Sequence, residues 1–267
     1  MYKAVFIDMD GTLLEDYCTI SKASQKIIKY LLDLGIYVIP VSARPLHGMM
    51  PVLKPVIDES MPMVSLNGSY LYYKNEIIND VRISISNTIK VYQAIKNDNV
   101  TPIFYNQMEW YSDRNNEIVQ KEQRITPVQI VIKDFEALLD HWEKSNHSPN
   151  KIVVVGDENT IKEVQAKLRI LFEDQLNIYT SDMRYLEIMD LQASKKTGVE
   201  ILVQKLGLKP EEIIALGDHF NDKDMLQFAG MGIAMGNAPD DIKAIANYIT
   251  DTNKNDGFAK ALKYFFY

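Results

Sequence analysis

Two aspartates spaced two residues apart close an apolar run near the start of the chain, in "FIDMDGTLLED" at residues 6–16. Apolar runs that open a domain are usually core strands, and acidic residues are depleted from strands. Asp8 and Asp10 therefore either begin a solvated turn or lie at a strand end for chemistry. The rest of the chain has to distinguish between these two interpretations.

Polar side chains also follow the other apolar runs that look like strands. In a parallel α/β sheet, ligands bind at the carboxyl ends of the strands, so we expect these side chains to face one crevice. A single acid in such a place is more often a cap or turn residue, but four converging loops are harder to explain by capping alone. The residues concerned are Asp8, Asp10, Ser42, Arg44, Asn67, Gly68, Asp218, Asn221 and Asp222.

The four aspartates of this set indicate a bound cation. If Asp8, Asp10, Asp218 and Asp222 lie together, they repel one another and raise one another's pKa unless a cation neutralises them. The candidate ligand atoms are all oxygens, with no Cys or His among them, which favours Mg²⁺ over zinc. A nearby Lys and Ser would then suit a phosphate, whose oxygens the metal bridges.

The elements that position these residues alternate between strands and helices in the first ninety residues. The helix of "SKASQKIIKYLLDLG" has Ser21 as N-cap and Gly35 as its stop. This alternation predicts an α/β fold with a Rossmann-like parallel sheet. Pro40 within the second strand predicts a bulge or a sheet edge there, because it lacks the ladder N–H.

The middle of the chain has a different pattern of predicted elements. From about residue 70 to residue 191 the pattern is of strands and helices with turns between them, beginning with a hairpin whose turn lies near Lys74-Asn75. The strand–helix alternation then resumes, with predicted helices in "DDIKAIANYI" and "GFAKALKYFF". The sequence therefore predicts one core domain that is interrupted by an inserted α+β module.

Composition limits the class of protein. The chain has 267 residues, a net charge of −7 and a pI of about 5.2, which argues against nucleic-acid or anionic-membrane binding. Cys18 is the only cysteine, so no intrachain disulfide forms. The first residues reach acids by position 8, too early for a signal peptide, and no apolar run approaches the roughly 20 residues of a membrane span. We expect a cytoplasmic protein.

Four motifs in this chain resemble the haloacid dehalogenase (HAD) superfamily of phosphotransferases, and within it the Cof-type hydrolases. They are "DMDGT" at 8–12, Ser42 in "VSAR", Lys195 in "ASKKTG", and "GDHFND" at 217–222 followed by "DMLQFAGMGIAMGNAP". The subfamily usually has Thr-Gly-Arg where this chain has Ser42-Ala43-Arg44, and a Ser hydroxyl also donates to phosphate. The motifs occur in order at both ends of the chain.

This resemblance implies a role for each motif residue. Asp8 would be the nucleophile that forms an aspartyl-phosphate, and Asp10 the general acid/base. Residues i and i+2 of an extended backbone point to the same side, so both carboxylates would reach one phosphoryl group. The remaining implied roles are these: Mg²⁺ ligation by Asp8, Asp218 and the backbone carbonyl of Asp10; phosphate binding by Ser42, the backbone of Ala43, Lys195 and Asn221; and support of Lys195 or a metal-bound water by Asp222.

The resemblance also implies the domains and the function. Residues 1–83 and 189–267 would form the catalytic core, and residues 84–188 a type II, subclass B cap that folds over the site and supplies substrate contacts. The expected activity is Mg²⁺-dependent hydrolysis of a small phosphorylated metabolite: a sugar phosphate, pyridoxal phosphate or an intermediate of the flavin pathway. The alternatives are a phosphomutase of the same superfamily and a non-catalytic binder of phosphorylated ligands.

Overall fold

The computed structural model describes residues 1–16, 18–58, 60–125 and 129–267. Within these ranges the chain divides into two compact units. The first unit comprises Met1–Asn79 and Ser194–Tyr267, and the second comprises Asp80–Ala193. These boundaries lie a few residues from those expected between core and insertion, which were 83/84 and 188/189.

The helices and strands follow one another along the chain in both units. In chain order they are β1 (Ala4–Asp8), α1 (Lys22–Asp33), β2 (Tyr37–Val41), α2 (Leu46–Leu53), β3 (Met63–Ser65), β4 (Tyr70–Tyr73), β5 (Glu76–Asp80), α3 (Ile85–Ile95), β6 (Thr101–Asn106), β7 (Glu109–Ser112), α4 (Glu117–Ile125), β8 (Val131–Ile132), α5 (Phe135–Ser145), β9 (Lys151–Val155), α6 (Glu158–Phe172), β10 (Leu176–Asp182), β11 (Tyr185–Asp190), α7 (Lys195–Lys205), β12 (Ile213–Gly217), α8 (Lys223–Phe228), β13 (Met231–Ala234), α9 (Asp240–Lys243), β14 (Tyr248–Ile249) and α10 (Gly257–Phe266).

The first unit is built on an eight-stranded sheet in the order β14-β13-β12-β1-β2-β3-β4-β5. The strands from β14 to β3 run parallel, and β4 turns antiparallel to β3. The central strand β1 pairs with β12 on one side and β2 on the other, so the carboxyl ends of these three strands lie next to one another. The Rossmann-like parallel core is therefore confirmed.

Alternating side chains of the central strands pack on the helices that follow β11. Ala4 and Phe6 of β1 are fully buried in a cluster with Val199 and Leu202 of α7 and Leu226 of α8. Because side chains of a strand alternate between its faces, the same face of β1 continues to its last residue. The strand thus ends with a side chain directed toward the side of the sheet that α7 covers.

The α1 boundaries follow from the capping residues expected from the sequence. The Ser21 hydroxyl accepts a hydrogen bond from the backbone N–H of Ser24, which satisfies one of the free donors at the helix start. Gly35 ends the helix with φ of +75°, a conformation that glycine adopts without a steric penalty.

Pro40 lies neither at an edge nor at a bulge, so that prediction was wrong. Strand β2 is interior, and its register with β1 runs unbroken, with Ile7 opposite Pro40. The N–H of Ser42 donates to the Val64 carbonyl of β3, and alternation directs the Pro40 nitrogen to this same side. Pairing with β3 begins only at Val41, so the missing N–H precedes the β2–β3 ladder and removes no bond from it.

Two other local predictions had different outcomes. The hairpin between β4 and β5 is confirmed, with Lys74 and Asn75 both at positive φ, 52° and 62°, as its two-residue turn requires. The single helix predicted for "DDIKAIANYI" was wrong: α9 ends at Lys243, and β14 pairs in parallel with β13. Strand pairing thus determines the conformation of the second half of that segment.

The second unit is a six-stranded sheet in the order β10-β11-β9-β6-β7-β8, antiparallel except for the β7–β8 pair. One face packs on α3, α5 and α6, with Phe104 stacked on Phe135 at a ring-centroid distance of 4.2 Å. This α+β architecture agrees with the inserted α+β module that the sequence predicts. In the described ranges, no helix combines the length and the apolar character needed to cross a membrane.

Candidate active site

The candidate site begins at the carboxyl end of β1. Asp8 is the last residue of this strand, lies opposite Val41 of β2 and is only 5% exposed. Its side chain follows Ala4 and Phe6 on the face covered by α7. The first residue of that helix is Lys195, and its ammonium donates to Asp8 Oδ1 at 2.6 Å.

Lys195 joins two carboxylates. Its Nζ also donates to Asp222 Oδ1 at 2.6 Å, and its side chain is 1% exposed. The neighbouring Lys196 is a different kind of residue, 42% exposed and paired with Glu200 one helical turn away at 3.3 Å. The structure therefore places Lys195, and not Lys196, among the aspartates.

Asp222 is fully buried, and it holds both the lysine and the loop that carries Asp218. While Oδ1 accepts from Lys195, Oδ2 accepts from the backbone N–H groups of Asp218 and His219, each at 3.0 Å. These bonds use both oxygens of the side chain. Asp222 thereby fixes the turn after β12 in the conformation that presents Asp218.

Asp218 is held from its other side by polar groups of two further loops. Thr12 Oγ1 donates to Asp218 Oδ1 at 3.3 Å, and Asn237 Nδ2 donates to Asp218 Oδ2 at 3.0 Å and to the Gly11 carbonyl at 2.9 Å. Gly11 has φ of +83°, and a Cβ atom there would lie 2.3 Å from Asp218 Oδ2. The glycine after Asp10 is thus required by backbone conformation and by close approach.

Asp8, Asp218 and Asp222 form a compact group, each offering an oxygen within 4.8 Å of the others. Burial raises the pKa of Asp8 well above its ordinary value, although Lys195 opposes this shift. Burial together with the charge of Asp222 raises the pKa of Asp218 to about 6. Burial alone would lower the pKa of Lys195, but the charges of Asp222 and Asp8 outweigh it and raise this pKa. The ammonium therefore stays charged. Its single positive charge does not neutralise the three carboxylates of the group.

Asp10 lies apart from this group in its contacts. Strand β1 ends at Asp8 and Met9 lies in a turn, so the alternation of strand side chains applies only as far as Asp8. That both carboxylates reach one phosphoryl group stays a prediction. Both carboxylate oxygens of Asp10 accept from the Arg44 guanidinium, Oδ2 from Nε at 2.8 Å and Oδ1 from a terminal nitrogen at 2.6 Å. Asp8 and Asp10 thus pair with different cations.

The remaining expected phosphate-binding residues follow β2, β3 and β12. Ser42 is 1% exposed, and its hydroxyl oxygen accepts from the Arg44 N–H at 3.1 Å, which leaves the hydroxyl proton as a donor. Ala43 is half-buried between them. Asn221 donates to the side-chain oxygen of Asn67 at 3.2 Å. The backbone N–H of Asn67 also donates to the Ser42 carbonyl at 2.9 Å, so these contacts link the loops after the three strands.

Sequence reasoning did not assign roles to Asn237 or to the side chain of Arg44. Asn237 comes shortly after β13, so the rule that polar residues gather at the carboxyl ends of parallel strands points to it. Arg44 was noted at a strand end, but a sequence pattern does not show which carboxylate a long side chain reaches.

Comparison with known proteins gives the family of this chain. A family model described as haloacid dehalogenase-like hydrolase matches residues 5–262. A Haemophilus influenzae protein named "Putative phosphatase" is 35% identical over 266 residues, covering 98% of both chains. The 5-amino-6-(5-phospho-D-ribitylamino)uracil phosphatase YcsE of Bacillus subtilis is 30% identical, covering 98% of this chain and 95% of its own.

A solved structure agrees with these relatives. The HAD subclass IIB sugar phosphatase BT4131 superposes with a TM-score of 0.83 at 26% identity and covers 98% of each chain. The aspartates and the glycine of the site lie at or after the carboxyl ends of strands of the parallel sheet, and the lysine is the first residue of α7. The chain matches this family almost from end to end. The chain therefore belongs to the haloacid dehalogenase superfamily, in its Cof-type branch, and is a phosphatase.

Proposed function

We propose that the chain is a Mg²⁺-dependent phosphatase of small phosphorylated metabolites that works through an aspartyl-phosphate on Asp8. The observation that carries this proposal is the buried group of Asp8, Asp218 and Asp222 around Lys195. Three carboxylates share one ammonium there, so the group has an excess of negative charge that a divalent cation would neutralise.

The donor set fits Mg²⁺. Asp8 and Asp218 offer carboxylate oxygens, and the Asp10 backbone offers a carbonyl, all of which are ligands that this ion prefers. Asp222 is less suited to ligation, since Lys195 and two backbone N–H groups already bind its oxygens. When bound, Mg²⁺ supplies positive charge that orients the phosphoryl group and stabilises the charge developing on its oxygens.

The chain's own residues carry the two chemical steps. An oxygen of Asp8 attacks phosphorus and forms the acyl-phosphate bond while the bond to the leaving oxygen breaks, and Asp10 gives that oxygen a proton. Asp10 then takes a proton from a water molecule, which attacks phosphorus, releases inorganic phosphate and restores the Asp8 carboxylate. Asp10 regains its proton in the second step and the cycle closes.

Four groups would bind the phosphoryl oxygens. Ser42 has a hydroxyl proton to donate, Lys195 is positioned beside Asp8, and the Ala43 backbone and Asn221 belong to loops at the same ends of the strands. Donors fixed in this way stabilise the charge of the transition state without reorganising during the reaction. Asp222 keeps Lys195 in place.

The substrate class rests on the relatives. Their names specify a ribitylamino-uracil phosphate and sugar phosphates. These names favour sugar phosphates and intermediates of the flavin pathway as substrates, and the family resemblance adds pyridoxal phosphate. Residues 84–188, within the second unit, would act as the cap that selects among them.

The test is hydrolysis of an aryl phosphate by the wild type and by Asp8→Asn, each with Mg²⁺ and with a chelator. Asparagine is nearly isosteric but lacks the anionic nucleophile, so we expect activity only for the wild type with Mg²⁺. Asp16→Asn is the matched control, because in the described part of the chain the hydrogen bonds of Asp16 are those that it accepts from Cys18 and Thr19. Activity that survives both Asp8→Asn and chelation would refute the assigned site.

A further inference from the structure

The pair between Arg44 and Asp10 joins an anchored cation to an exposed carboxylate. The Arg44 side chain is 10% exposed, while that of Asp10 is 44% exposed. The backbone of Arg44 is fixed at both ends, since its N–H donates to Ser42 Oγ and its carbonyl accepts from the Leu66 N–H. Arg44 is therefore the fixed member of the pair, and Asp10 is the member whose orientation the pair determines.

The geometry of the pair restricts the carboxylate in a way that a single charge does not. Nε and a terminal nitrogen of Arg44 bind different oxygens of Asp10, at 2.8 and 2.6 Å. Two parallel bonds from a planar guanidinium fix the plane of the carboxylate as well as its distance. A lysine ammonium would supply the charge but would leave that plane undefined.

We propose that Arg44 is a positioning residue, which orients the Asp10 carboxyl for proton transfer to the leaving oxygen. This inference rests on the proposed role of Asp10 as general acid. Before the transfer, the unprotonated oxygen of Asp10 accepts from Arg44 and its other oxygen carries the proton. As that proton passes to the leaving oxygen and the bond to phosphorus breaks, the second bond of the observed pair forms to the developing carboxylate.

A positioning role for Arg44 predicts that the loss of activity in its variants depends on the leaving group of the substrate. An alkyl phosphate has a poor leaving group and depends on the acid, whereas p-nitrophenyl phosphate has a good one and depends on it little. The quantity to measure is kcat/KM, because it includes the step in which the leaving group departs. A displaced catalytic group can cost about 10²-fold in rate, so we expect Arg44→Gln and Arg44→Lys to lower kcat/KM for glycerol phosphate by about that factor.

For p-nitrophenyl phosphate we expect the same variants to lose only a few-fold in kcat/KM, and the inhibition constant of inorganic phosphate to stay near the wild-type value. Retained activity on the aryl ester shows that the variants are folded. The control is Arg82→Lys in the second unit, since Nε and a terminal nitrogen of Arg82 also pair with an aspartate, although both donate to the same oxygen, Oδ2 of Asp80, at 3.0 and 2.8 Å. Any loss in this control should be equal for the two esters.

Combination with Asp10→Asn separates the inference from the proposed function. Asp10→Asn alone should lose more on glycerol phosphate than on the aryl ester, and adding Arg44→Gln should cause little further loss. If Asp10→Asn affects both esters equally, the role of Asp10 as acid is wrong. If Asp10→Asn discriminates between the esters but the Arg44 variants do not, or if the two losses multiply, the positioning role of Arg44 is overturned while the proposed function stands.

Discussion

Replacing Lys195 with methionine tests the electrostatics of the site, and the same replacement at the neighbouring Lys196 is the comparison. Methionine keeps much of the volume of lysine but removes the ammonium that lies 2.6 Å from both Asp8 and Asp222. Removing one member of a buried ion pair costs about 3–5 kcal/mol, because the partner remains buried without its counter-charge. Both partner carboxylates lose their counter-charge in this variant.

The expected loss is large enough to measure in a thermal melt. For a domain of roughly 150–250 residues each kcal/mol lowers Tm by about 2–4 °C, which gives a fall of roughly 6–20 °C for Lys195→Met in metal-free buffer near neutral pH. Lys196→Met is the control. Its exposed pair with Glu200 is worth about 0.3–0.5 kcal/mol, so its Tm should fall by about 2 °C or less.

Activity should follow the same division. Losing one preorganised donor to the phosphoryl group lowers kcat by about 10²–10³-fold, and this loss is expected for Lys195→Met but not for Lys196→Met. The destabilisation of Lys195→Met should also shrink as the pH falls, because Asp8, whose pKa is already raised by burial, takes up a proton. Equal Tm shifts for the two variants, or unchanged activity of Lys195→Met, would refute this account of the site.

The other predictions concern the proposed metal site and the loops that position Asp218. The folded-state pKa of Asp218 is raised from 3.8 to about 6, so its contribution to stability is present below its ordinary pKa and is lost as the pH rises through about 6. The gain in Tm on adding Mg²⁺ should therefore grow over this pH interval. A gain that is constant with pH would contradict the assignment of Asp218 as a ligand. Gly11→Ala should lose Mg²⁺-induced stabilisation and activity, since the new Cβ would lie 2.3 Å from Asp218 Oδ2 and would displace that carboxylate. Gly35→Ala is the control: its φ is +75° and a Cβ there would have nothing within 4 Å, so it should cost only about 1–2 kcal/mol of backbone strain. Calorimetry with and without the metal separates the two, and equal effects would show that strain alone explains Gly11.

The parallel core follows from the sequence because its signals are local and repeated. Apolar runs of strand length alternate with capped amphipathic helices, and this period is enough to place β1, β2, β12 and β13. The loops after these strands then follow from the rule for parallel sheets. Pattern reasoning works where each element carries its own signal.

Prediction failed where contacts distant in sequence decide the structure. The segment of β14 has the apolar spacing of a short helix, but it forms a strand because Tyr248 pairs with Ile233 of β13. Helix α3 was missed for a local reason instead: its β-branched residues obscure the helical period, although Ser84 caps it and Val91 and Ile95 share its buried face. The Arg44–Asp10 pair could not be predicted either, because the position of Arg44 at a strand end does not specify its side-chain rotamer.

The most direct test of the central claim is to trap the covalent intermediate. Wild-type protein turning over an aryl phosphate with Mg²⁺ is quenched rapidly in acid, and its peptides are examined by mass spectrometry. We expect one added phosphoryl group on the peptide that contains Asp8, removed by hydroxylamine as an acyl-phosphate is, and absent from Asp8→Asn. Turnover without such an adduct, or an adduct on a different residue, would contradict the assignment of Asp8 as the nucleophile.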